Sequence, residues 1–304
     1  RGQDSEAQKI FERLATQFPN SELMAEAVIN VCETLFQAKQ FADVIARLKP
    51  LLAKELPPQV REAALYRLGR TQVELGAWSE AKTTLEQLVA GFPSSRLRRE
   101  AEFWIAEADR QKGQQKAAVD RLAKLVAEQV PAEAWLGTAY LRMAQAQSEQ
   151  KQWKEMLVTI EQLKKRFPKF EQMNVAEYHA GRALQNLARF DEARDAYRRG
   201  IAGQKDENAA QCQFMIGETY FHQKRFQEAG REFLKVEILY AFPQWQAGAL
   251  LEAGKCHESL QEWSRAVETY NRIIEKYAKT SHVSEATQRR AAAQQKLTAG
   301  ASKK

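Results

Sequence analysis

The stretch from Ala64 to Pro93, ALYRLGRTQVELGAWSEAKTTLEQLVAGFP, decides the fold. Ala64 and Gly69 are small residues where two helices must touch, and Leu68, Trp78 and Leu85 are large apolar residues that fill between them. Arg61 to Leu75 holds no proline, and Ala64, Leu65, Leu68 and Val73 recur at mostly helical spacing. Gly76 supplies a turn, and Ser79 is placed to cap a second helix with its hydroxyl. That helix runs to about Gly91, and Pro93 prevents its continuation.

The same grammar returns in phase along the chain. With Gly69 as anchor, the equivalents are Cys32, Ala106, Ala144, Gly181, Gly217 and Gly254, in steps of 36 to 38 residues. Five before each anchor stand Ala27, Ala64, Ala101, Ala139, Ala176, Cys212 and Ala249. Nine after stand Phe41, Trp78, Gln115, Trp153, Phe190, Phe226 and Trp263, and sixteen after stand Leu48, Leu85, Leu122, Ile160, Tyr197, Phe233 and Tyr270. Ala7, Phe11 and Phe18-Pro19 form the second half of a repeat, and Ala286 and Ala291 open one more first helix that stops near Leu297. The expectation is seven whole repeats with a half repeat at each end, one continuous array over residues 1–297, and a disordered basic tail over 298–304.

Neither helix of a pair hides its apolar face alone, so stacking on the next pair must remove it from water. Glycine or alanine at the anchor lets the two backbones approach, and overpacking it costs about 1–3 kcal/mol. The ring nine residues later is expected to fill the space beside that contact. Truncating a buried Trp78 or Trp263 would then cost about 3–5 kcal/mol.

The phased small, aromatic and proline positions resemble the tetratricopeptide repeat family over nearly the whole chain. The resemblance implies an all-α solenoid of antiparallel helix pairs, wound as a right-handed superhelix with a concave groove lined by first helices. The step of about 37 departs from the family's usual 34. The closings at Phe18 to Ser21 and Phe92 to Ser95 also resemble bacterial cell-envelope members of the family, which points to the periplasm, with the cytoplasm as the alternative.

Composition adds few constraints. The 304 residues are 44% hydrophobic and 28% charged, with net charge +7, which permits acidic partners without naming them. No run of about 18 apolar residues spans a membrane. Cys32, Cys212 and Cys256 form no framework, and Cys32 and Cys212 sit at small-residue packing positions. His179, His222, His257 and His282 lack metal-ligand spacing, so no metal, cofactor, small-molecule substrate or catalytic residue is expected. His222 and His257 belong to adjacent first helices, yet Cys256 and His257 point apart as neighbours on one helix.

In the family the first helix faces the groove. That places Tyr66, Phe103, Tyr178 and Phe214 there, three before their anchors, with Arg70 and Arg182 one after and Phe221 four after. Rings flanked by charges suit an extended peptide or helix. These rings equally suit packing on neighbouring helices. The apolar stripe, with no Asn beside it, argues against the carboxylate clamp of some family members. It also argues against the polar code of RNA-reading repeats.

The leading expectation is therefore a non-enzymatic scaffold that holds a protein or peptide in its groove. The alternatives are a structural segment of a longer protein, docking or self-associating through its end repeats, and a basic nucleic-acid scaffold.

Overall fold

The computed structural model describes residues 22–128 and 133–301. Ala7, Phe11, Phe18-Pro19 and Pro131 lie outside the described residues. The chain divides into two compact units, residues 1–150 and 151–304. The division falls in the turn of the fourth repeat. All described secondary structure is helical.

The first unit contains α1 (Glu22–Gln37), α2 (Phe41–Leu52), α3 (Pro58–Glu74), α4 (Trp78–Gly91), α5 (Arg98–Gln111), α6 (Gln115–Ala127) and α7 (Ala134–Glu149). The second contains α8 (Trp153–Arg166), α9 (Met173–Asn186), α10 (Phe190–Ile201), α11 (Glu207–His222), α12 (Phe226–Leu239), α13 (Pro243–Ser259), α14 (Trp263–Lys276) and α15 (Val283–Ala301). Within each unit every helix packs on its chain neighbours, and first helices also touch the first helix of the next repeat. This is the nearest-neighbour packing of a repeat array.

The core lies where the repeat positions place it. The residues five before, twelve after and sixteen after each anchor are all buried. The sixteenth residue, more than the ninth, seats directly on the anchor. A Cβ added to Gly181 would lie 2.5 Å from the Tyr197 ring, and one added to Gly254 would lie 2.3 Å from the Tyr270 ring. Gly69 meets Leu85 and Gly217 meets Phe233 in the same way. The expectation for the ring nine residues on is corrected accordingly. Trp78 and Trp263 are half-buried at the first position of their helices, so their truncation costs less than a core ring. Phe41 and Phe226 instead meet the ring four after the anchor, Phe36 at 5.4 Å and Phe221 at 5.3 Å.

The turns repeat as strictly as the core. The residue seven after each anchor has positive φ: Lys39, Gly76, Gly113, Lys151, Ala188, Lys224 and Gln261. At Ala188 the amide donates to the Gln185 carbonyl at 3.0 Å, and the next amide, from Arg189, donates to the Leu184 carbonyl at 2.9 Å. That pair of bonds closes the first helix as a Schellman motif. Five of the seven positions thus hold a side chain in the left-handed region, which costs about 1–2 kcal/mol for an L-residue. Glycine there loses part of that gain to unfolded-chain entropy. Ala188→Gly is therefore expected to stabilise the second unit by about 0.5–1 kcal/mol, read as a higher urea midpoint at unchanged slope.

Ser79 is not the cap. The second helix starts one residue earlier, at Trp78, after Ala77, and no side chain caps it. Asp191 and Ser264, which stand near the place of Ser79 in later repeats, likewise fall inside their helices. The left-handed turn already delivers the chain at the helix start, so the cap position is occupied by whatever residue follows it. The polar closing of the fifth repeat does contain a side-chain cap: Asp206 accepts from the Ala209 amide at 2.8 Å. At the end of the chain, α15 runs to Ala301, past the expected stop at Leu297. Thr298 Oγ1 donates back to the Gln295 carbonyl at 3.0 Å, and no proline intervenes.

Candidate functional site

The first helices present their groove positions differently in the two units. In the first unit, α3 places Tyr66 and Arg70 one turn apart, and α5 places Phe103. Arg70 is engaged within the fold through its Nη1 group and the face of its guanidinium, while its buried Nε has no hydrogen-bond partner among the described residues. Its Nη1 donates to Glu100 at 3.0 Å and to the Tyr66 hydroxyl at 3.4 Å, and its guanidinium lies 4.1 Å from the Trp104 ring centre. Glu74 approaches at 3.5 Å. Phe103 is only 2% exposed and packs against Trp104 and Trp135, at 4.9 and 5.8 Å between ring centres. It is a core residue, which corrects its expected place as an exposed groove ring.

In the second unit, α9 places Tyr178 and Arg182, and α11 places Phe214 and Phe221. Tyr178 is buried, and its hydroxyl accepts from Gln211 Nε2 at 2.7 Å, which ties α9 to α11. Phe214 is half-buried between Phe233 and Trp245, at 5.1 and 5.6 Å. Phe221 is half-buried against Phe226. Arg182 stands 6.0 Å from the Tyr178 ring centre and makes no ion pair among the described residues.

A register rule accounts for this contrast, and the single-repeat reading missed it. The residue one after an anchor meets the residue two before the next anchor. In the first unit these rungs are complementary. Glu33 pairs with Arg67, Arg70 lies over Trp104, and Glu107 pairs with Arg142 at 3.6 Å. Burial pushes the Glu107 carboxyl up, but hydrogen bonds from Arg110 and Gln111 and the charges of Arg110 and Arg142 outweigh it and hold the group below its ordinary range. In the second unit none of the three rungs is complementary, although in the last, Lys255 with Arg289, Glu285 lies 3.2 Å from the one and 2.9 Å from the other. The partner position of Arg182 is Met215, which carries no charge. The partner position of Glu218 is Glu252; burial first, and then the Glu252 charge, raise the Glu218 carboxyl above its ordinary range, while His222 at 3.6 Å from Glu218 and Lys255 at 2.7 Å from Glu252 offset part of the repulsion. A comparison of charges at a spacing of 34 residues is the signal that reveals the rule.

The buried polar groups are structural. Glu177 of α9 pairs with Lys164 of α8 at 2.8 Å and with Arg199 of α10 at 3.0 Å, pinning three helices together. Arg194 of α10 is buried over the Tyr220 ring at 4.1 Å and donates to Gln223 at 2.8 Å. Burial pushes the thiols of Cys32, Cys212 and Cys256 up to about 11, 12 and 12, so they remain protonated at neutral pH. Among the described residues no group of three His, Cys, Asp or Glu side chains could hold a metal, and no helix is long and apolar enough to cross a membrane.

Paired helices repeated at 36 to 38 residues, each pair closed by a left-handed turn, define an array of helical hairpins. The chain is a tetratricopeptide repeat protein: a tetratricopeptide repeat-like domain matches residues 79–219, and a tetratricopeptide repeat matches residues 1–21 and 248–280. No curated protein matches its sequence. Among solved structures, a tetratricopeptide repeat protein from Parabacteroides merdae is 14% identical, with TM-score 0.58, over 89% of this chain and 98% of that one. YrrB, described as a TPR protein with an unusual peptide-binding site, is 16% identical with TM-score 0.52, over 71% of this chain and 97% of its own. Residues 41 to the end of MamA from Desulfovibrio magneticus are 19% identical with TM-score 0.51, over 59% and 94%. At these identities the likeness is one of fold.

Proposed function

We propose that this chain is a non-enzymatic scaffold that holds a protein or peptide partner on its first-helix face, principally in the second unit. What supports this reading is the unmatched rung at Arg182. Arg182 makes no ion pair among the described residues, and the half-buried rings Phe214 and Phe221 stand on the next first helix. A partner that brings a carboxylate to Arg182 and an apolar side chain to Phe221 completes what the repeats leave unpaired. Tyr66 and Arg70 satisfy one another and Glu100, so they contribute shape more than free valence. Phe103 and Tyr178 act by holding the neighbouring rings in place.

The test is a crosslinked pull-down from the source cell, comparing wild type with Arg182→Glu and with Phe221→Ser. Both residues are half-buried, and because Phe221 packs on the edge of a core cluster, circular dichroism first confirms that each variant is folded. Charge reversal at Arg182 is expected to reduce capture of the partner about tenfold, with an unchanged circular dichroism spectrum. Equal capture by wild type and both variants would remove the first-helix face as the binding surface.

A further inference from the structure

A second surface lies on the opposite side of α9. Helical residues advance about 100° each, so Ala180 and Leu184 point away from Tyr178 and Arg182. They form the floor of an open trench of about 760 Å³ whose walls are the second helices α8 and α10. Leu157 and Val158 of α8 complete the apolar lining, and Val158 is 58% exposed.

A trench between successive second helices is not itself unusual in this fold. A smaller one, about 430 Å³, lies between α12 and α14, and there Arg231, Arg265 and Arg272 crowd the lining. Val158 sets the first trench apart. It stands fourteen after its anchor, a position held elsewhere by Thr83, Asp120, Asp195, Arg231 and Glu268, and by Ala46 in the first repeat. This position is polar in five of the seven repeats, and among the seven only Val158 places a large apolar side chain there in water.

The charges around the trench state what it would accept. Its carboxylates are neutralised in place: Glu161 by Lys164 at 3.1 Å, Glu192 by Arg189 at 2.6 Å and Asp195 by Arg198 at 2.8 Å. Arg199 is held by Glu177. Lys165, on the rim, makes no ion pair among the described residues. The wider field has the same sign. Residues 1–150 carry 20 basic and 20 acidic side chains, whereas residues 151–304 carry 26 and 19, so the whole excess of +7 belongs to the second unit. The walls and floor are helices with no open strand edge, so an extended peptide finds no backbone to pair with. A helix satisfies its own backbone and fits between two others ridge into groove.

We propose that the trench between α8 and α10 docks an acidic amphipathic helix of a partner protein. Its apolar residues at i, i+3, i+4 and i+7 lie on Val158, Leu157 and Leu184, and a carboxylate meets Lys165. This site is separate from the first-helix face and does not depend on it.

The experiment uses two labelled synthetic helices of about 15 residues, with leucines at those four positions. One has glutamates on the remaining face and the other lysines. Binding is followed by fluorescence anisotropy with the full chain. The acidic helix is expected to bind and the basic one not. Val158→Asp, at a solvent-facing position, should weaken binding at least about tenfold. Lys165→Glu should weaken the acidic helix about tenfold and let the basic one bind. Arg182→Glu should change neither. Equal binding of both helices, no binding of the acidic one, or insensitivity to Val158→Asp would overturn the proposal. So would loss of binding in Arg182→Glu, which would return the peptide to the groove. Sedimentation showing a wild-type dimer that Val158→Asp dissolves would assign the trench to a second copy of this chain instead.

Discussion

Tyr197→Ala is expected to destabilise the second unit by about 3–5 kcal/mol. The ring is fully buried and its edge occupies the space that a Cβ at Gly181 would need. Removing it leaves a cavity between α9 and α10 that the anchor glycine has no side chain to fill. The hydroxyl contributes less: it donates to Gln185 at 2.9 Å, and Tyr197→Phe should cost only about 1 kcal/mol. Gly181→Ala approaches the same contact from the other side. It should cost about 1–3 kcal/mol through overpacking. Combined with Tyr197→Ala, it should cost less than the two separate losses together, because the methyl group then enters the cavity. Urea unfolding of the four proteins measures this coupling. Additive losses would show that ring and glycine do not share the space.

Lys82→Met in the first unit should cost about 2–3 kcal/mol, the largest effect expected from a half-exposed side chain here. Lys82 of α4 meets Asp109 of α5 at 2.6 Å, and the carboxylate is only 1% exposed. Without the ammonium a buried negative charge is left with Arg121, whose Nε stands 3.8 Å away. The exposure of Lys82 and that second cation keep the loss below that of a fully enclosed pair. Replacing both partners, Lys82→Met with Asp109→Asn, should restore part of the stability, because a neutral amide of the same shape leaves no unpaired charge buried. Thermal melts of the single and double variants separate the two cases. A double variant as unstable as Lys82→Met would show that the loss comes from packing.

Much of the fold was legible because it repeats. A position that is small in Ala27, Ala64, Ala101, Ala139, Ala176, Cys212 and Ala249 can have one explanation only if all seven meet a helix at close range, and all seven are buried. The same comparison placed Leu48, Leu85, Leu122, Ile160, Tyr197, Phe233 and Tyr270 in the core. It did not distinguish which of two large residues seats on the anchor. Gln115 aside, the ninth and sixteenth positions are both aromatic or aliphatic, and only the path of the second helix places one inside and the other at its start. The turn was legible at Gly76 and Gly113 and hidden at Lys39, Lys151, Ala188, Lys224 and Gln261. There the surrounding packing and the two Schellman bonds impose a conformation that those residues do not favour by themselves.

The candidate site divides along the same line. That first helices carry Tyr66, Arg70, Tyr178, Arg182, Phe214 and Phe221 at corresponding positions was determined by the sequence alone, since equal register in a repeat means equal placement. So was the confinement of the net charge to residues 151–304. Only the tertiary structure decided that Arg70 is bound to Glu100 and Tyr66 while Arg182 makes no ion pair among the described residues, that Phe103 is core, and that Val158 stands in water above an apolar floor. The physical reason is that period fixes where a side chain is carried. Its availability depends on the residue that the next helix sets against it, about 34 positions away, and that neighbour is determined by how the pairs stack.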